Sequence, residues 1–342
     1  MQGKLPTIQY LRGLAAMLVV ASHALLYPLA EQTIAYGRLG WLGVILFFVV
    51  SGFIMVTVTG TGSFDPVAFL KRRILRIVPL YWAFTLVAAA LALVEPGLFK
   101  TTVFDGGQLL KSLVFVPFYN PASHGLHPLY KLGWTLNYEM FFYVGFAVLA
   151  LLTARRRVAV LTIAYVALAL TGALRQPVDA IPAFYTSFMP LAFVAGAWLG
   201  LAQIEGHLQK VPTPVLVGLG IMALAGLVQG FTWDHGLVED PVAFIGLLSF
   251  AAATVALVVG LEPVLPRVRF LETLGDASYS IYLVHIFAVA ATAGVLLRLL
   301  DTTDPLVTNA IIAFAIVAGA VAGLMLYRLV ERPLMGRLRK LA

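Results

Sequence analysis

The sequence predicts an all-α fold: a polytopic membrane bundle of about ten transmembrane helices with both termini in the cytoplasm. Three observations predict it. Hydrophobic residues make up 61% of the 342 and charged residues 11%, with a mean hydropathy of +0.94, which leaves too little polar surface to cover a soluble globule of this length. A spanning helix needs about 20 apolar residues, and ten such runs occur, at about 9–29, 38–58, 76–94, 133–153, 157–174, 182–203, 212–230, 241–261, 277–299 and 306–329. With the N-terminus inside, 16 of the 23 lysines and arginines fall on the cytoplasmic side and 6 outside, with Arg12 at the mouth of the first span. That bias orients the bundle.

The runs follow one another without a repeat, a low-complexity segment or a soluble insert, so residues 1–342 read as one transmembrane domain. The first run carries an arginine and a histidine and lacks a small-residue cleavage site, so it reads as a span and not a leader. The net charge of +7 is mostly the loop bias and attraction to anionic lipid; membrane lipid is an expected partner and nucleic acid is not. The absence of cysteine excludes disulfides, iron–sulfur clusters and thiolate zinc sites. Any nucleophile is oxygen or nitrogen.

Ionisable residues inside spans are expensive and mark functional sites by default. In the first span His23 follows Arg12 by eleven residues, about 16 Å further into the bilayer. Its structural alternative is a histidine bonding a carbonyl of a neighbouring helix. In the second span Ser51-Gly52-Phe53 offers small residues for close approach of a helix or a ligand chain; nothing in the sequence supplies Ser51 with a base. The third span opens on Lys71-Arg72-Arg73-Ile74-Leu75-Arg76, where Arg73 and Arg76 share a helical face and suit a guanidinium clamp on phosphates. Topology alone also asks for cations there.

The one long loop, about 95–132, is expected outside as a lid, a substrate platform or a plain tether. Its His124 and His127 are weak metal candidates, and no cluster has the spacing of a metal site. In the fourth span Glu139 lies five residues after Trp134, about 8 Å below the outer interface, at a depth comparable with His23. A carboxylate that orients a histidine is a recurrent general-base arrangement; the alternative is a pair that only ties two helices together. In the ninth span Tyr279, Tyr282 and His285 recur every three residues, and His285 reads equally as a donor-channel residue or as a helix-to-helix hydrogen bond. Glu331-Arg332-Pro333 reads as a helix stop with an interfacial ion pair.

Six of these segments, in order, carry a resemblance: Arg12 with ten residues before His23; Phe47-Phe48 leading to Ser51-Gly52-Phe53; Arg73-x-x-Arg76 followed by Pro79-x-Tyr81-Trp82; Trp134-Thr135-Leu136 with Glu139 and Phe142-Tyr143; Tyr279-Ser280-Ile281-Tyr282-Leu283-x-His285; and Glu331-Arg332-Pro333. End to end, the chain resembles the acyltransferase-3 family of bacterial membrane O-acyltransferases, in the form without a fused extracytoplasmic domain. The resemblance implies a multi-pass protein of the bacterial inner membrane that moves an acyl group, commonly acetyl from acetyl-CoA, to a hydroxyl of an exported polysaccharide or lipid-linked glycan, with exopolysaccharide-modifying members the nearest in length. Residue by residue, Arg12 and His23 match the family's first-span motif and Arg73 and Arg76 its arginine pair. Together with the residue readings above, this makes His23 with Glu139 the expected catalytic pair, Arg12, Arg73, Arg76, Ser51, Tyr282 and His285 the expected donor-binding residues, and acetyl-CoA or another acyl-CoA the expected donor substrate, with no metal expected. Oligomeric state stays open, with a homo-oligomer among the alternatives. The rival from another class is a transporter or flippase of lipid-linked sugars or small acids that uses the intramembrane His and Glu as a proton relay.

Overall fold

The computed structural model describes residues 5–26, 34–95, 103–209, 211–233, 240–300 and 303–338. They form α1 (Pro6–Leu26), α2 (Ile34–Thr59), α3 (Pro66–Val94), α4 (Gly106–Leu113), α5 (Trp134–Val148), α6 (Ala154–Arg175), α7 (Ala180–Tyr185), α8 (Pro190–Ile204), α9 (Thr213–Thr232), α10 (Pro241–Gly260), α11 (Arg269–Asp276), α12 (Ser278–Leu299), α13 (Pro305–Leu326) and α14 (Arg332–Leu338). Nine stretches of helix among the described residues are long and apolar enough to cross a membrane, with α7–α8 and α13–α14 each acting as one. Large apolar side chains stand exposed along them, among them Ile163 and Leu170 on α6 and Phe314 on α13. Such surface suits lipid and not water. The tenth expected span, 133–153, contains the 15-residue α5, about 22 Å of helix at 1.5 Å per residue.

Three helices start on the same device. At Asp65-Pro66, Asp240-Pro241 and Asp304-Pro305 the aspartate carboxylate accepts from backbone N–H groups of the first turn while proline takes the position that needs no donor. α3 therefore begins ten residues before the apolar run does, and the basic cluster lies inside the helix and not at its mouth. At the other end of the chain the expected helix stop is absent. Tyr327–Glu331 form a π-helical turn that runs on into α14, and Glu331 is 2% exposed, its carboxylate accepting from the Ser280 hydroxyl at 2.5 Å. Glu331 is thus a buried tie to α12, in place of the interfacial ion pair that the sequence suggests.

The chain divides into two compact units, residues 1–60 with 195–332 and residues 61–194 with 333–342. In the first, α1 packs against α2, α11, α12 and α13, with Ala16, Val20, Ala24, Ile281, Val289, Ile312 and Ala315 at its centre. Close approach depends on glycine: a Cβ on Gly196 of α8 would collide with the Val49 carbonyl oxygen of α2, and one on Gly200 would stand 2.6 Å from that of Phe53. This is where Ser51-Gly52-Phe53 is gripped. A Cβ on Gly319 of α13 would stand 2.9 Å from a Val20 side-chain carbon and 3.4 Å from the Cβ of His285.

The second unit has an aromatic core. Phe142 stacks on Phe193 at 4.6 Å between ring centres, Tyr138 on Phe184 at 3.9 Å, and Phe64 on Phe146 at 5.5 Å. Tyr81 and Trp82 donate to the carbonyls of Ser112 and Leu113 at 3.0 and 2.9 Å, fastening α4 to α3 and thereby ordering the described part of the long loop.

Candidate active site

His23 sits near the C-terminal end of α1, with Nδ1 2.9 Å from the carbonyl oxygen of Val19 one turn earlier. A carbonyl only accepts, so Nδ1 carries the hydrogen and Nε2 is the accepting nitrogen. α12 brings His285 against it: the ring centres are 5.0 Å apart, and His285 Nε2 lies 3.3 Å from His23 Nδ1. His285 is fully buried, and its own Nδ1 sits 2.8 Å from the Tyr282 carbonyl and 3.1 Å from that of Ile281. Both rings therefore carry their hydrogen on Nδ1, and His285 Nε2 accepts from His23. Tyr282, 6.0 Å from His285, meets Phe47 of α2 edge-on at 6.1 Å.

The rest of the first unit's candidates lie along α1 and α2. Arg12 is partly buried and donates to the Gln9 side chain at 3.0 Å. Ser51 is half-buried on α2, between the two carbonyls that meet α8. Ser22 donates to the Tyr36 carbonyl at 2.6 Å, tying the end of α1 to the start of α2, where Arg38 is 1% exposed.

The second unit holds the arginine pair and Glu139. The Arg73 guanidinium lies over the rings of Phe69 and Tyr143, 5.5 and 5.9 Å from their centres. Its Nε is buried and meets no hydrogen-bond partner among the described residues. Arg76, one turn on, and Glu139 of α5 are close enough to act on it electrostatically. The Tyr143 hydroxyl donates to the Glu139 carboxylate, so one tyrosine presents its face to Arg73 and its hydroxyl to the acid. The arrangement is a guanidinium held on two aromatic faces beside a second arginine, with one donor, Nε, unused among the described residues, and it suits an anionic group.

The sequence pairs His23 with Glu139. They fall in different units, and within its own unit each has another partner: His285 for His23, and Tyr143 with Arg73 for Glu139. His285, which the sequence offers equally as a donor-channel residue or as a helix-to-helix hydrogen bond, stands beside the His23 ring, and Tyr282 stands beside His285. Tyr143, which enters the sequence motif without a role, follows Glu139 by four and so shares its helical face. Arg38 and Arg157, which look like loop charge in the sequence, are both buried.

In the loop, the Ser123 hydroxyl hydrogen-bonds His127 Nε2, while His127 Nδ1 donates to the Pro128 carbonyl at 3.2 Å; burial holds this imidazole below its ordinary pKa. His124 is exposed, with a left-handed backbone at φ 56°. Among the described residues no group of three or more histidine or acidic side chains assembles as a metal site.

The family profile described as an acyltransferase domain matches residues 5–328, across both units. The chain belongs to the acyltransferase-3 family. It is similar to the exopolysaccharide production protein ExoZ of Rhizobium meliloti (strain 1021), 37% identical over 325 residues that cover 92% of this chain and 95% of that protein. No solved structure matches the chain significantly. The protein is accordingly a membrane acyltransferase, and its intramembrane histidines and arginines are to be read in terms of acyl transfer.

Proposed function

We propose that this acyltransferase moves an acyl group, acetyl in the simplest case, from acyl-CoA to a hydroxyl of an exopolysaccharide or its lipid-linked precursor, in the inner membrane of a bacterium, with both termini cytoplasmic. The observation that carries the reading is the His23 geometry. A histidine held by a backbone carbonyl through Nδ1 offers Nε2 as a base, which is what deprotonation of a sugar hydroxyl requires.

In this mechanism the hydroxyl proton passes to His23 Nε2 as the oxygen attacks the thioester carbonyl carbon. The carbon–sulfur bond then breaks, and the CoA thiolate leaves and takes up a proton. A variant of the same chemistry acylates His23 first and passes the group on. Arg73 and Arg76 hold the donor's phosphates, Arg12 is a further donor-binding cation, and Glu139 acts as counter-ion and orienting acid for the arginine side. Family membership and the likeness to ExoZ support the substrate class.

Membrane vesicles supplied with labelled acetyl-CoA test it. His23→Ala is expected to abolish incorporation into polysaccharide while the protein still inserts in normal amount. Incorporation at the wild-type rate in that variant would overturn both forms of the mechanism.

A further inference from the structure

The histidine pair holds more information than a single base needs. Five atoms meet around the two Nδ1 positions: the carbonyl oxygens of Val19, Tyr282 and Ile281, and the two nitrogens that face each other at 3.3 Å. The three carbonyls accept only, so they claim a hydrogen on each Nδ1. His285 Nε2 faces a nitrogen that already bears hydrogen. A second hydrogen there would set two donors against each other at the fully buried His285 ring, so His285 Nε2 is an acceptor. One assignment satisfies all five: His285 Nδ1–H to the α12 carbonyls and His23 Nδ1–H shared between Val19 and His285 Nε2, which puts the His23 lone pair on Nε2.

From this we infer that His285 is a positioning residue for His23: it selects the Nδ1–H tautomer of His23 and stabilises the imidazolium formed when Nε2 takes a proton. This rests on His23 acting as the base in acyl transfer. In the familiar arrangement a carboxylate performs the task at the histidine's rear nitrogen; here a buried neutral imidazole does so, anchored in turn by its own backbone. The placement is built into the packing. Gly319 of α13 lets that helix lie against both α1 at Val20 and α12 at the His285 Cβ, and the neighbouring Tyr282 ring is wedged edge-on to Phe47. A second consequence separates this role from one in donor binding. A donor-lining residue acts on KM, whereas a residue that orients the base acts on kcat.

The test combines one structural and one kinetic reading. In the wild-type protein in nanodiscs, labelled with 15N-histidine, the His23 signals are identified by their loss in His23→Gln. They are expected to show Nδ1 protonated and Nε2 unprotonated; the opposite tautomer overturns the inference whatever the activity. In transfer assays His285→Leu is expected to lower kcat about a hundredfold with the donor KM within about threefold of wild type. His285→Gln, whose amide oxygen can take the place of Nε2 as acceptor, is expected to recover to within about tenfold of wild type. A raised donor KM with unchanged kcat in His285→Leu overturns the positioning role, as does a His285→Gln variant that folds but is as inactive as His285→Leu. The underlying reading fails separately, and visibly, if His23→Ala retains transfer while the Nδ1–H tautomer is observed.

Discussion

Arg157 and Arg73 belong to the same compact unit, and each guanidinium lies over two aromatic rings, yet they are treated in opposite ways. Arg157, 0% exposed, sits 4.5 and 4.9 Å from the ring centres of Phe64 and Phe146. It donates to the carbonyls of Gly62, Ala150, Leu152 and Leu149 at 2.6–3.3 Å. The chain has wrapped two turns, 61–64 and 149–153, around it, and these turns also bond each other through Phe64 to Ala150 and Ala154 to Thr61. Arg73 has the same kind of aromatic walls, but its buried Nε finds no acceptor among the described residues. Among the described residues, one guanidinium is met by four carbonyls and the other leaves its Nε without an acceptor. In the proposed mechanism the missing acceptor is a phosphate oxygen of the donor.

The comparison breaks most plainly at Arg157. Replacing it with leucine takes the guanidinium from four carbonyls, three part-buried and one buried, at a cost of about 1–3 kcal/mol for each that finds no other donor, a large share of what a marginally stable bundle holds. Arg157→Leu is expected to reduce folded protein in the membrane severely, as read by thermal melting of detergent extracts followed by gel filtration. Whatever protein survives should transfer acyl groups in proportion to its amount. A variant with a wild-type melting profile would show that the carbonyl cage is not what holds these turns.

Arg73 should respond the other way round. Arg73→Ala removes a charge-assisted contact worth about 1.5–3 kcal/mol, so transfer at low donor concentration is expected to fall about a hundredfold while the melting profile stays within a few degrees of wild type. Arg73→Lys keeps the charge without the planar fork and is expected to recover only part. Donor-concentration curves in membrane vesicles separate the two. If Arg73→Ala melts as early as Arg157→Leu, the two arginines are alike and the contrast is void.

What the sequence can reveal divides along the same line. The spans are legible because about 20 apolar residues are needed whatever they pack against, and the site residues are legible because an ionisable side chain in such a run is costly wherever it lies. Boundaries need more: Asp65-Pro66, a helix start readable from its two residues, places the beginning of α3 well before the apolar run and brings the whole basic cluster into the helix. Partners are not legible. Nothing in the spacing of α1 and α12 sets His285 beside His23, because that neighbour is decided by where helices approach closely, as at Gly319 against Val20 and the His285 Cβ. Glu331-Arg332-Pro333 misleads for a related reason. Proline ends an ordinary helix because its ring clashes with the carbonyl four residues back, but the wider π turn at Tyr327–Glu331 accommodates it, and π turns gather at functional positions.

The finest edge of the comparison is Tyr143, which distinguishes a ring that supports Arg73 from a hydroxyl that holds Glu139. Tyr143→Phe keeps the aromatic face beneath the guanidinium and removes one hydrogen bond to the carboxylate, a net loss of about 1 kcal/mol, or about fivefold in transfer. If Glu139 serves the arginine side, a carboxylate no longer held by Tyr143 pairs more closely with Arg73 and competes with the donor's phosphates, so the loss is expected in the donor KM and not in kcat. Glu139→Gln removes that competition along with the charge. In the double variant the Tyr143→Phe effect is therefore expected to shrink to near nothing, a non-additivity that a double-mutant cycle measures directly. An effect of Tyr143→Phe that is confined to kcat and persists undiminished in the Glu139→Gln background would assign Glu139 to the chemical step instead, and would return it to the role that its depth in the sequence first suggests.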